Sequence, residues 1–190
     1  MISYRYIFKN MSGNLNGNSE VNIEDIYRNY NSISESNKVE SHKVGFMYGI
    51  STKINLMTSI GFTLKTMNLL SKKNQSFQAK SSGVNDINLT ALYNLVDKSR
   101  NKTHLNIGIS FPIGSINVND QYSSFSITKL PYNMQIGSGT WNTYLGFTTF
   151  FQYEKISFGL QPSYKIHIGK NSYDYSFGNI LDVNYWAAVK

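Results

Sequence analysis

The chain has 190 residues and no cysteine, with 18 Lys and Arg against 11 Asp and Glu for a net charge of +7, and it carries 14 Tyr and 11 Phe. That length suits one domain, and the lack of cysteine excludes disulfides and Cys-based zinc or iron–sulfur sites. No run approaches the ~18 continuous apolar residues of a transmembrane helix, and the basic residues are scattered rather than clustered, which argues against nucleic acid as a partner.

In chain order, Ile2, Tyr4, Tyr6 and Phe8 alternate with Ser3, Arg5, Ile7 and Lys9, predicting a first strand. Asn10 to Lys38 is polar and too long for a hairpin turn, with Ile23, Ile26, Tyr27 and Tyr30 at the spacing of a short amphipathic helix. The clearest alternation follows. Val44, Phe46, Tyr48 and Ile50 share one face, as do Leu56, Thr58, Ile60, Phe62 and Leu64 after the turn Ser51-Thr52-Lys53, while the intervening positions from Lys43 to Lys65 are small, polar or basic. These are strands two and three. Met67 to Gly83 reads as a second polar loop, with Lys72, Lys73, Asn74 and Gln75 at its tip.

Strand four sets Ile87, Leu89, Ala91, Tyr93 and Leu95 against Asp86, Asn88, Thr90, Leu92 and Asn94. Beyond the charged turn Asp97 to Lys102, strand five sets Leu105, Ile107, Ile109 and Phe111 against His104, Asn106, Gly108 and Ser110. A third long connection runs from Gly114 to about Asn142. Strand six then presents Leu145, Phe147, Thr149, Phe151 and Tyr153, and after a tight turn at Glu154 and Lys155 strand seven alternates Phe158, Leu160, Tyr164 and Ile168 with Gly159, Gln161, Lys165 and His167. A fourth loop, Gly169 to Gly178, precedes strand eight with Leu181, Val183, Tyr185 and Val189 on its apolar face.

Two features of this pattern predict a membrane wall. Long and short connections alternate, as in outer-membrane barrels with long external loops and short periplasmic turns. No residue on the apolar face of the eight segments is charged, and a Lys or Arg facing the bilayer midplane costs ~2–4 kcal/mol. The expected fold is all-β, an antiparallel up-and-down transmembrane β-barrel of about eight strands, with residues 1–190 forming one domain. The opposite face then supplies the lumen: Arg5, Lys43, Lys65, Asp86, Asn88, Asn106, Gln161, Lys165, His167 and Asp182. Its bases outnumber its acids, so an open pore is expected to favour anions.

The third connection contains LPYNMQIGSGTWNTYLGFT, Leu130 to Thr148, and is expected to fold over or into the barrel mouth, with Leu130, Pro131, Tyr132, Met134, Gln135, Gly137, Gly139 and Trp141 as its motif. This segment resembles the hallmark of a bacterial outer-membrane β-barrel family labelled after the meta-pathway of phenol degradation. Further matches run in the same order: SYRYIFKNMSGN from Ser3, HKVGFMYGISTKINLM from His42, GVNDINLTALYNL from Gly83, HLNIGISFPIGSI from His104 and YSFGNI from Tyr175. The resemblance spans nearly the whole chain. It implies a Gram-negative outer membrane, with lipid and lipopolysaccharide as surroundings, and settings that point to copper or hydrocarbon handling. Members of that family carry an export leader and further strands, neither of which is read here. The chain is therefore expected to be a fragment, the first eight strands of a barrel of about twelve.

Candidate chemistry is sparse. His42, His104 and His167 lack the spacing of a metal motif, and Met47 with Met57 on adjacent strands reads first as soft packing, although thioethers suit Cu(I). No nucleophile, base and orienting group come together, so neither an enzyme nor a cofactor is expected. The expected function is a channel or transporter for a small solute, hydrophobic or anionic. The rival is a non-conducting binding or structural barrel, associated with copper.

Overall fold

The computed structural model describes residues 1–120 and 128–189. It is a curled, half-barrel antiparallel sheet. The strands are β1 (Ile2–Ser12), β2 (Ser32–Gly49), β3 (Ile54–Ser71), β4 (Ser76–Val84), β5 (Ile87–Lys98), β6 (Asn101–Phe111), β7 (Trp141–Tyr153), β8 (Ile156–Ile168) and β9 (Ile180–Val189). Pairing follows the order β1-β2-β3-β5-β6-β7-β8-β9, with β4 beside the upper part of β3 and with β1 and β9 at the two edges. Apart from β4, each neighbour in that path is the next segment of an up-and-down meander, as the alternation predicts.

The turns form where the sequence places them. Ser51 Oγ accepts the Ile54 and Lys53 N–H groups at 3.1 and 3.3 Å in the β2–β3 turn, and Glu154 takes a positive φ of 49° in the β7–β8 turn. The expected short helix is present as α1, Ile23–Asn29, preceded by a two-residue ribbon pairing Leu15–Asn16 with Ser19–Glu20.

The strands are longer than expected around β2 to β4. β1 continues to Ser12, β2 begins at Ser32, and β2 and β3 each have 18 residues. The stretch Met67 to Gly83, expected as a loop, is the end of β3, a turn at Lys72 to Gln75, and β4. The misreading has a physical cause. Alternation persists there in reversed phase: Met67, Leu69, Phe77 and Ala79 turn inward, while Thr66, Asn68, Gln78 and Lys80 turn outward, so the outward positions read as polar loop. On the outward parity the longer strands also add Glu40 and Lys38, opposite Leu64 and Thr66, so the face expected to be uncharged carries charge at its upper end.

β4 and β5 are one path broken by a corner. β3 pairs with β4 as Phe62↔Val84 and with β5 as Ser59↔Asn88, so residues 60 and 61 face residues 85, 86 and 87. The extra residue is a bulge, the device that bends a strand and re-aims its side chains. Asn85 N–H still reaches Gly61 O at 2.8 Å, and Asn85 and Asp86 both line the inner face.

The side chains buried on β2, β3 and β5 to β8 of the curled sheet are largely polar, including Ser41, Thr63, Asn106, Ser110, Asn142 and Thr148, while Phe62, Ile107, Phe147, Phe158 and Tyr164 on the other face are exposed. Among the described residues, the apolar core cluster lies higher, where the β6–β7 connection covers the inward residues of β3 and β4. Part of that connection, residues 121–127, lies outside the described residues.

Candidate functional site

The β6–β7 connection folds onto the inner face because its own apolar residues match the patch beneath. Leu130 and Met134, 2% and 0% exposed, pack against Met67, Leu69 and Ala79, with Phe77 and Val118 at the margin. After Pro131, a single 3-10 turn, Tyr132–Met134, presents carbonyls with few backbone partners, and the wall supplies donors. Ser81 Oγ donates to Met134 O at 2.6 Å, and Lys65 Nζ donates to Asn133 O and Gln135 O at 2.9 and 2.6 Å. Gln135 then closes the loop on itself. Its amide N–H groups reach Leu130 O at 2.7 Å and Val118 O at 3.1 Å, and its Oε1 accepts the Val118 N–H at 2.8 Å.

Asp86 anchors the other half of the loop from the β4–β5 corner. Its carboxylate accepts Gly114 N–H at 2.9 Å, Ser138 N–H at 3.1 Å and the Ser138 hydroxyl at 2.9 Å. Gly114 and Gly137 pass backbone to backbone, so a Cβ on Gly137 would overlap the Gly114 carbonyl. Gly139 adopts a φ of +67°, the left-handed turn that glycine takes without strain. Ser138 Oγ in turn accepts Asn142 Nδ2–H at 3.1 Å, tying the loop to the start of β7.

Beneath this folded loop the inner face opens a cleft of about 390 Å³. Lys43 reaches it from β2, Lys65 from β3, Asn88 from β5, Tyr144 from β7, and Lys165 and His167 from β8, with Asn85 and Asp86 at the corner and Tyr132 and Phe177 from the loops. Its charges are not equivalent. Lys65 is engaged by two carbonyls and Asp86 by the loop. Lys43 and Lys165, among the described residues, have no hydrogen-bond or ion-pair partner; the ion pairs there are Arg28–Asp25 in the helix, Lys170–Asp174 in a loop and Lys102–Asp97 across the ends of β5 and β6, none of them in the cleft. Lys165 Nζ stands 5.7 Å from the centroid of the Tyr144 ring and within electrostatic range of Asp86, Lys43 and Asp182. Tyr144 OH donates to Asn88 Oδ1 at 2.7 Å. Among the described residues, both ring nitrogens of His167 and the Asn85 Oδ1 are shielded without a partner, and His167 lies 5.4 Å from the Phe177 ring.

Of the expected lumen residues, Lys43, Lys65, Asp86, Asn88, Lys165 and His167 come together here. Arg5 lies opposite Lys43 on the exposed edge strand, outside the cleft. Gln161 and Asp182 are on the same face as the cleft residues but do not line it, and Asn106 sits lower, donating to Thr148 Oγ1 at 2.9 Å. In the mouth motif, Trp141 begins β7 on the outer face, 5.1 Å from the Phe111 ring, and Pro131 is exposed, while Leu130, Tyr132, Met134, Gln135, Gly137 and Gly139 form the folded loop. Met47 and Met57 are direct cross-strand partners, whereas His42 is on the outer face against Tyr4 and Tyr6. Among the described residues no three His, Cys, Asp or Glu side chains gather as a metal set.

Ser81, Asn85, Ser138, Tyr144 and Phe177 were not singled out in the sequence. Tyr144 was legible by parity, one residue before outward Leu145. Asn85 turns inward only because of the bulge, and Ser81 was hidden inside the stretch read as loop. The fold and the cleft together define a β-barrel-like wall with an apolar outer face and a polar inner face partly filled by its own loop. No protein-family model and no curated protein matches the chain.

Proposed function

We propose that this chain forms the wall of an outer-membrane channel or transporter for a small solute, with the β6–β7 loop narrowing its mouth. One observation carries the reading: the polarity of the two faces reverses along β2, β3 and β4. Below the row of Phe8 and Leu64, which itself includes Glu40 and Ser82, the outward side chains of β1 to β3 are mainly apolar, with His42 and Thr58 among them, and the inward ones mainly small, polar or basic; in the next two rows, Asn10, Lys38, Thr66 and Lys80, then Ser12, Ser36, Asn68 and Gln78, every outward side chain is polar. Between those two rows, the inward Met67 and Ala79 are buried beneath the loop. A wall in water has no use for the first arrangement, since contiguous exposed apolar surface of this extent marks contact with lipid or another apolar phase. A wall that leaves the bilayer needs the second.

The row of Thr66 then marks the outer bilayer surface. The 18 residues of β3 exceed the ~9–11 that cross the hydrocarbon, and the remainder stands above it. In lipid the backbone groups on the free sides of β1 and β9 require partners, so the wall functions within a closed barrel. The resemblance to the meta-pathway family supports the same location. The packed loop favours a rival, a non-conducting barrel whose loops bind a ligand. Single-channel recording in planar bilayers separates them: steady conductance steps support the channel, and insertion without conductance supports the binding barrel.

A further inference from the structure

We propose that the cleft beneath the loop is a binding site for a small oxyanion, a carboxylate or phosphate group held between Lys43 and Lys165. The inference deepens the channel reading by naming a substrate class, and it rests on the inner face being a solvent-filled lumen. The other charged groups of the cleft are already committed. Lys65 is held by Asn133 O and Gln135 O at 2.9 and 2.6 Å, and Asp86 accepts three hydrogen bonds from the loop. That leaves two ammonium groups, on strands far apart in the meander, facing one cavity, neither with a hydrogen-bond or ion-pair partner among the described residues.

Leaving two like charges together without a partner is unfavourable unless solvent or an anion screens them. The surroundings are mixed but basic on balance at Lys43, which lies within electrostatic range of Arg5 and Lys9; Lys165 lies within range of Asp86 and Asp182, and Asp86, already held by the loop, is the one carboxylate lining the cleft among the described residues. Asn85 lines the corner of the cavity, and its Nδ2, which makes no hydrogen bond among the described residues, is the donor it can offer there. An oxyanion seated there meets two point charges and an amide N–H donor, the charge-assisted set that proteins use for such groups. At about 390 Å³ the cavity accommodates a small solute rather than a polymer.

Two readouts test the site on the full chain in detergent and in planar bilayers. Calorimetric titration with inorganic phosphate, then with acetate, is expected to give saturable binding. Lys43→Gln and Lys165→Gln should each weaken it about tenfold, and Lys102→Gln, at the distant β5–β6 turn, should leave it unchanged. A preference for one probe assigns the source as phosphate or carboxylate. In bilayers, the reversal potential in a salt gradient is expected to indicate anion preference in the native chain and to shift toward cations in the double variant. No saturable binding of either probe, or equal binding by the double variant, overturns the oxyanion site even where conductance is present. Binding that depends on both lysines without any conductance upholds the site and overturns the channel reading.

Discussion

Asp86 illustrates how a single side chain changes meaning once its partners are known. By alternation it is a lumen charge, and it does line the cleft, but its oxygens are occupied by Gly114 N–H, Ser138 N–H and the Ser138 hydroxyl. Hydrogen bonds to a charged acceptor are worth more than neutral ones, each roughly 1.5–3 kcal/mol. Asp86→Asn keeps one acceptor oxygen and replaces the other with a donor facing donors, so it is expected to loosen the loop by about 2 kcal/mol. The measurement is protease cleavage within residues 114–140 of the folded protein: faster cutting in the variant supports the anchoring role, and an unchanged rate removes it. Lys65 is the parallel case, a base expected to meet solute that instead holds two loop carbonyls.

At the scale of elements, β3 and β4 carry the loop as a soluble protein carries a lid. Their upper inner face supplies Met67, Leu69 and Ala79, and the loop supplies Leu130 and Met134. Truncating a buried methionine to alanine typically costs roughly 2–5 kcal/mol. Met134→Ala is therefore expected to release the loop while leaving the sheet intact. In planar bilayers this appears as larger and noisier conductance with unchanged far-UV circular dichroism; a native-like conductance in a well-folded variant would place the constriction elsewhere. The β4–β5 bulge belongs to this scale as well, since it turns Asn85 and Asp86 inward beside Gly61.

At the scale of the molecule, the outward face sorts into an apolar band and a polar rim, and substitutions should follow that division. Ile107, 49% exposed at the middle of β6, lies in the band, and Ile107→Lys is expected to cost ~2–4 kcal/mol when the protein unfolds from lipid vesicles. Ser76→Lys, outward and exposed on β4 above the Thr66 row, should cost nothing measurable. Equal effects at the two sites would contradict a bilayer boundary there; the readout is urea-induced unfolding followed by tryptophan fluorescence. Eight of the nine long strands, the order in which those eight pair, and the inward parity of Lys43, Asn88, Lys165 and His167 were determined by sequence alone, because a period of two assigns each residue to a face without knowledge of its neighbours. The helix at Ile23–Asn29 was legible for the same reason, through its own period. Which lysines remain unpaired, where β4 takes the place of a loop, and how Asp86 meets Ser138 across 52 residues were decided only by the tertiary structure. Those outcomes depend on what comes to lie opposite a side chain, and pairing between distant segments leaves no local periodicity to read.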